Sequence, residues 1–417
     1  MMRRSIAAVI RLVAKIFFRR IELAGVEHVP QSAPVIFAVN HPNALIDPLF
    51  LLSLAPRRVS FLAKAPLFRM PLIGWIVRAF DSIPVYRRQD NVSTAGNRET
   101  FARAREVLRR GGAIAIFPEG TTHSDPRLRE LKTGAARIAL GASIHVSIVP
   151  TGLYYTAKQT FRSSALTYFG SAIVVDPEPV DGNGEPRQES VERLTNEIER
   201  ALAEVTLQAD SHAALELIAN AERIFTSGEG TALARELELR KQFIAGYVVL
   251  RDRDPGRLTR LESMIKQVDA ERLTRAERIQ PGRLLLAPIG IIGAAIHWPV
   301  YRLIGFLATH LSSKDDAMIA TVKVIGGLVL YPLMWIAAAV VVGILSDWRW
   351  GIAALLALPI VGYVALLTIE TFEDIEARVR RRDVVAQQQA IREEILAVAR
   401  ELNATTTSSS PGAPSEA

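Results

Sequence analysis

Residues 324–345 run for twenty-two positions without a charge, and Gly351–Ile369 for nineteen more. In water such runs have nowhere to hide their side chains. As helices they satisfy their own backbone, and at ~1.5 Å per residue each is about as long as the ~30 Å hydrocarbon core of a bilayer. Only Ser-Asp-Trp-Arg-Trp separates them, and its tryptophans suit a membrane interface. Val324–Ile369 therefore reads as a transmembrane hairpin, spanning at 324–345 and 351–369. A hydrophobic content of 49% and a mean hydropathy of +0.18 agree with membrane segments.

A third apolar run, Leu284–Tyr301, contains His297 and two prolines. Arg272, Arg275, Arg278 and Arg283 precede it; Arg302, Lys314 and Lys323 follow; Arg378-Val-Arg-Arg-Arg comes after the hairpin. Basic flanks stay on the cytoplasmic side. That favours a re-entrant or in-plane segment at 284–301, with both the amino-terminal domain and the tail inside. The expectation is an integral protein of the cell (inner) membrane whose amino-terminal domain faces the cytoplasm.

The first 150 residues hold 22 Lys and Arg against 10 Asp and Glu, while the whole chain carries a net +7. A basic half attracts anions: acidic lipid, phosphorylated metabolites or nucleic acid. A merely solvated basic surface is the plain alternative. The chain has no cysteine, which excludes disulfides, thiolate–metal sites and a thiol nucleophile.

Residues 1–20 form a basic helical pattern with Ile6, Val9, Ile10, Val13, Ile16 and Phe17 between the charges. It suits either an anionic membrane surface or a core-packing helix with a basic outer face. From 21 to 180, short apolar runs alternate with helical ones, which indicates an α/β layer domain. Strands are expected at Ile21–Gly25, Val35–Val39, Arg58–Ala63, Ile83–Tyr86, Ala113–Phe117, Ser147–Tyr154 and Leu166–Phe169. Helices are expected at Pro48–Ala55, Pro71–Ala79, Thr94–Arg110 and Thr133–Leu140. Residues 181–282 read as a helical cap or spacer, with one strand candidate at Ile244–Leu250. Beyond the membrane segments of 283–370, a cytoplasmic helix covers 371–402 and a Ser/Thr/Pro-rich tail, 403–417, reads as disordered.

The chemistry gathers where strands end. Val35–Val39 runs into Asn40-His41, and Asp47 follows six residues later. An imidazole at the carboxyl end of a strand sits where open α/β sheets bind ligands. It can take a proton from an alcohol if a carboxylate holds its other nitrogen. The spacing alone is weak evidence, because acids are plentiful and Asp47 before Pro48 also fits a helix N-cap. Ile83-Pro-Val-Tyr ends in Arg87-Arg88, suited to bidentate phosphate binding or simply to solvation. Ala113–Phe117 ends in Pro-Glu119-Gly120-Thr121, where the glycine permits close backbone approach and the threonine can donate. Glu119 could equally cap a turn. Lys132 precedes the next helix, and Val149-Pro150 interrupts another strand.

In this order and spacing, Asn40-His41 to Asp47, Ile83 to Arg87, Phe117 to Thr121 and Val149-Pro150 resemble the glycerophospholipid acyltransferase family. Asn-His-Pro-Asn-Ala-Leu-Ile-Asp-Pro, Ser-Ile-Pro-Val-Tyr-Arg and Lys158-Gln-Thr-Phe-Arg-Ser look like its fungal-type glycerol-3-phosphate/dihydroxyacetone-phosphate branch. The resemblance implies an acyltransferase-type mixed sheet flanked by helices. It implies His41 as general base and Asp47 as its orienting partner. Arg87, Glu119 and Gly120 would form the glycerol-phosphate pocket, with Thr121 and Lys132 in support; Arg88 is a second guanidinium beside Arg87. No metal and no cofactor is implied beyond an acyl-CoA or acyl-carrier protein co-substrate. The partners implied are a lipid membrane, the acyl thioester donor and the glycerol-phosphate acceptor, with no nucleic acid.

The activity so implied is acyl transfer to glycerol 3-phosphate or dihydroxyacetone phosphate at sn-1. The alternatives are transfer to 1-acylglycerol 3-phosphate or another lysophospholipid at sn-2, and a non-catalytic membrane scaffold with the same fold.

Overall fold

Every residue of Val35–Val39 is fully buried. A strand apolar on both faces belongs in the middle of a parallel sheet with helices on either side. The computed structural model describes residues 2–86, 97–182, 184–226, 232–268, 281–312, 316–381 and 385–408. They form two compact units, Met1–Gln208 with Ile304–Gly326, and Ala209–Leu303 with Gly327–Ala417.

The first unit contains, in chain order, α1 (Met2–Phe17), β1 (Arg20–Ala24), β2 (Val35–Val39), α2 (Ile46–Leu54), β3 (Val59–Lys64), α3 (Pro71–Ala79), β4 (Ile83–Val85), α4 (Asn97–Arg109), β5 (Ala113–Ile116), α5 (Gly134–Leu140), β6 (Val146–Tyr155), β7 (Ser164–Phe169), β8 (Ile173–Val175) and α6 (Gln188–Glu204). The sheet order is β1-β7-β6-β2-β5-β3-β4, with β8 also paired to β6. All pairs are parallel except β6 with β7 and β6 with β8. The α/β expectation with a mixed sheet is met. β8 is an addition: Val174 is exposed, so three residues carry too little apolar pattern to be read as a strand.

Alternation along β2 splits the core. Ile36 and Ala38 pack with Ile114 and Ile148 against α4, α5 and α6, through Leu108, Ile138 and Ile198. Val35, Phe37 and Val39 face the other way, with Phe61, Phe169 and Leu51 of α2. Phe17 and Phe18 at the end of α1 join Ile46 and Phe50 of α2, together with Ala320 and Val324.

The second unit is helical. It contains α7 (His212–Thr226), α8 (Leu233–Arg253), α9 (Pro255–Gln267), α10 (Pro281–Leu284), and parts of α11 (Ala287–Leu311) and α12 (Asp316–Leu345). α13 (Trp348–Arg381) and α14 (Val385–Ser408) complete it. Ile244–Leu250 is not a strand but part of the second half of α8. Its β-branched residues suggest a strand, yet Phe243, Tyr247 and Leu250 recur at helical spacing on one packed face. Arg240 lies between buried Glu222 and Glu236, at 3.3 and 2.8 Å. α14 reaches Ser408, into the stretch expected to be disordered, whose remaining residues lie outside those described.

Three helices are long and apolar enough to cross a membrane by length and composition: Ala287–Leu311, Met318–Leu345 and Trp348–Val379. They include the expected hairpin. Glycines let these helices meet closely: an added Cβ would reach Thr368 at Gly290, Val361 at Gly293 and the His297 ring at Gly362. His297 does not break α11. Its Nδ1 meets the Gly293 carbonyl at 2.8 Å, and Trp335 donates its indole N–H to Nε2 at 3.0 Å. Pro299 also lies inside this unbroken helix. Of the run 284–301, Leu284 ends α10 and residues 287–301 lie in one continuous helix.

Candidate active site

β2 and β5 are adjacent and parallel, so their carboxyl ends place His41 and Glu119 side by side. β6 flanks β2 on its other side, with Val39 opposite Thr151. At ten residues β6 is twice as long as β2 and overshoots it, carrying Tyr155 past the end of the shorter strand. Asn40 bridges the step: its side-chain amide donates to the Leu153 carbonyl at 3.1 Å and its side-chain oxygen accepts the Leu153 N–H at 2.6 Å.

The chain then turns through Pro42-Asn43-Ala44, with Ala44 at a left-handed φ of 34°. That turn brings Asp47 back beneath the imidazole. His41 Nδ1 lies 2.9 Å from Asp47 Oδ2. The Asn43 N–H donates to the same oxygen at 2.7 Å, and Tyr155 donates its hydroxyl to Oδ1 at 2.7 Å. Asp47 is fully buried, and these donors replace the water it has lost. Burial, and then the adjacent Asp47 carboxylate, push the Tyr155 phenol well above its ordinary pKa, so it stays a donor.

The capping role proposed for Asp47 does not form. α2 begins at Ile46, its N-cap is Leu45, and no side chain caps it. Asp47 sits inside the first turn and reaches back to the loop, where the demand for donors to a buried carboxylate outweighs a cap.

His41 stacks on Phe117, with ring centroids 4.0 Å apart and planes 14° from parallel, and Phe117 stacks on Phe61. The ring is thus held on one flat side by Phe117 and at Nδ1 by Asp47. Among the described residues none bonds Nε2, which remains for a ligand.

Glu119 sits behind this arrangement. Its Oε1 accepts the His41 N–H at 3.0 Å, and its Oε2 accepts the Arg129 N–H at 3.1 Å and meets His123 Nε2. The side chain is fully buried. The Asp125 N–H donates to His123 Nδ1, so Nε2 is the protonated nitrogen facing Glu119. Both Glu119 oxygens thus meet protein donors, and the carboxylate braces the His41 backbone.

Gly120 adopts φ +72°, a turn closed by its N–H on the Phe117 carbonyl, and the Lys132 side chain lies over it. Lys132 is exposed, and its backbone N–H ties to the Pro118 carbonyl at 2.7 Å. Thr121 is half-buried beside Gly120, its hydroxyl donating to Thr122 O at 3.4 Å. Arg87 and Arg88 lie outside the described residues; β4, which leads to them, pairs with β3. Sequence reasoning missed Tyr155 and His123 as site residues. His123 stands four residues after Glu119, a spacing open to inspection, whereas Tyr155 is 108 residues from Asp47 and no local pattern joins them. Lys158 also belongs here: its ammonium donates to Pro42 O at 3.1 Å and to Ser124 Oγ, fastening the turn to the loop after Glu119.

Known proteins share this part of the chain. Residues 20–154 match the Acyltransferase family model. Glycerol-3-phosphate O-acyltransferase 2 of Saccharomyces cerevisiae is 27% identical over 290 residues, 60% of this chain and 39% of that protein. 1-acyl-sn-glycerol-3-phosphate acyltransferase LPAT1, chloroplastic, of Arabidopsis thaliana is 31% identical over 189 residues, 45% of this chain and 49% of that protein. The 1-acyl-sn-glycerol-3-phosphate acyltransferase of Borreliella burgdorferi is 33% identical over 161 residues, covering 39% and 61%. The chain thus spans about two-fifths to half the length of the first of these curated relatives. The match runs from β1 to β6 and contains His41, Asp47 and Glu119, so residues 20–154 are similar to an acyltransferase domain.

Proposed function

We propose that the chain is an enzyme that moves a fatty acyl group from an acyl thioester to the sn-1 hydroxyl of glycerol 3-phosphate or dihydroxyacetone phosphate. The observation that carries this is the buried Asp47 carboxylate on His41 Nδ1, which leaves Nε2 as the nitrogen able to take a proton. In the proposed step the acceptor hydroxyl gives its proton to His41 Nε2 as its oxygen attacks the thioester carbonyl. The tetrahedral intermediate collapses with cleavage of the C–S bond. The imidazolium returns its proton to the leaving thiolate, so the products are an ester and a free thiol. Asp47 holds the ring and stabilises the imidazolium, while Tyr155 and the Asn43 N–H hold Asp47. Arg87, two residues after β4 in sequence, would take the acceptor phosphate, and acyl-CoA or acyl-carrier protein would supply the acyl group. A nucleophilic residue on the protein is not required.

The sn-1 assignment is supported by the long alignments to the two yeast glycerol-3-phosphate O-acyltransferases, 290 and 333 residues, which run past the catalytic domain. The sn-2 alternative is favoured by the higher identity, 31–33%, to 1-acyl-sn-glycerol-3-phosphate acyltransferases over shorter alignments of 161 to 189 residues. An acceptor-competition assay on membranes decides between them. A strong preference for 1-acylglycerol 3-phosphate would reverse the assignment.

The three apolar helices support attachment to a membrane, and we place the catalytic domain on the cytoplasmic face of the cell membrane. Within α11 the charge-free part before Arg302 is fifteen residues, about 22 Å of helix, short of a ~30 Å core. Exposed Trp298 and Tyr301 sit beside that arginine, and Arg302 lies over the Trp298 ring. Both features suit a helix lying in the interface. A reporter fused at Ser312 should stay cytoplasmic; finding it outside would overturn the topology.

A further inference from the structure

Away from the catalytic pair, five arginines line one cavity. Arg3, Arg4 and Arg11 of α1 face Arg57 and Arg58, with Phe80 and the end of α2 between them, around about 430 Å³. Arg57 and Arg58 precede β3, at the amino-terminal edge of the parallel strands, whereas His41 follows the carboxyl end of β2. The cavity and the catalytic pair therefore sit at opposite ends of the sheet.

Some of these guanidinium groups are spent on the fold. Arg57 donates to the carbonyls of Pro30, Ala33 and Gly111. Arg3 donates to Val59 O at 2.7 Å and Asp81 at 3.1 Å, and lies over the Phe80 ring. Others keep donors to spare. Arg11 uses only Nε, on Ser53 O at 3.2 Å, and Arg4 and Arg58 are exposed with no acid partner among the described residues. Asp81 alone among the described acids pairs with these five. Like charges so gathered repel, and the neighbouring Arg58 helps to lower the Arg3 pKa after burial has done so. An anion relieves that repulsion, and planar forks bind phosphate oxygens two at a time.

The same helix indicates where the anion comes from. Met2, Val9, Leu12 and Ile16 are 54%, 57%, 59% and 38% exposed, on one arc of α1, while Ala14 and Phe17 are buried on another. Arg4, Arg11 and Lys15 fall together beside the exposed apolar arc. A helix with its apolar arc in the acyl boundary holds adjacent arginines at the level of lipid phosphates. We propose that this arginine-lined cavity is a phosphate site separate from the catalytic centre, occupied by the headgroup of an acidic phospholipid. It stands independently of the acyl-transfer reading.

The test is amide hydrogen exchange of the full chain in nanodiscs of phosphatidylcholine alone or with about one-third phosphatidylglycerol. With phosphatidylglycerol, exchange over 2–17 and 53–58 should slow by about tenfold, and Arg4→Gln/Arg58→Gln should lose that slowing. Unchanged exchange over 113–116 reports that the variant is folded. If it is not, Arg58→Gln alone should lose part of the effect, and full retention there would contradict the proposal. Equal exchange in both lipids would overturn it. So would protection by millimolar inorganic phosphate in phosphatidylcholine discs to which phosphatidylglycerol adds nothing, since the anion would then be a soluble one.

Discussion

Tyr155 closes the side of Asp47 that His41 leaves open: its hydroxyl donates to Oδ1 at 2.7 Å while His41 Nδ1 lies 2.9 Å from Oδ2. The phenol is itself packed by Phe18 and Phe50 at the end of α1 and on α2. Orientation of the base thus depends on the end of β6 and on α1, both far from it in sequence, as well as on the adjoining α2.

Tyr155→Phe removes one hydrogen bond to a buried charge while keeping the ring. Such bonds contribute roughly 1.5–3 kcal/mol, so kcat should fall by about tenfold or more, with the acceptor KM little changed. Steady-state kinetics on membranes checks this, and an unaltered kcat would remove Tyr155 from the positioning of Asp47.

The same tyrosine gives a signature in alkali. Its folded pKa is raised above the ordinary 10.0, so the folded state holds the proton longer than the unfolded state. This contribution to stability is fully present below pH 10.0 and is lost as pH rises from there through the folded pKa. Thermal unfolding in detergent should therefore steepen in its pH dependence above that value for the native chain, and less so for Tyr155→Phe. Parallel curves would show that the phenol does not titrate as its burial requires.

Glu119 separates a brace from a substrate contact. Glu119→Gln keeps an acceptor for the His41 N–H but turns an amide N–H₂ toward Arg129 N–H, a donor facing a donor. Loss of about 1–3 kcal/mol of stability and a lower kcat are expected, with the glycerol-phosphate KM nearly constant. A large rise in KM at constant kcat would instead return Glu119 to the phosphate pocket.

Arg87 should behave in the opposite way. If its guanidinium meets the acceptor phosphate, Arg87→Ala raises the acceptor KM by roughly 10–100-fold, the worth of a charged hydrogen bond, and Arg87→Lys recovers only part. The same experiment on Arg88 tells which of the two arginines is used.

How far the site can be read from the chain depends on whether its parts are local. Val35–Val39, Ala113–Ile116 and Val146–Tyr155 are legible because strands covered on both faces have to be apolar throughout. The His41–Asp47 pair is legible because six residues hold it. What Asp47 does there is only half legible: Pro48 suggests a cap, and the turn at Ala44 that points the carboxylate back at His41 is a backbone conformation no residue type announces. Glu119 shows the same limit. Its position is evident from a strand running into Pro-Glu-Gly, but the donors that occupy it come from His41, His123 and Arg129. Ile244–Leu250 fails for a different reason, since β-branched residues on a packed helix face mimic a strand until the helix on either side is seen.

His41 carries the central claim, and its removal tests it most directly. Membranes bearing the full chain are given a labelled acyl thioester, as acyl-CoA and as acyl-carrier protein, with glycerol 3-phosphate, and the acylated product is measured for native and His41→Ala protein at equal membrane content. The expected result is acyl transfer by the native chain and a fall of about 10²–10⁴-fold in the variant, the span of a lost general base. Transfer at the native rate by His41→Ala would contradict the role given to the imidazole and to the carboxylate behind it.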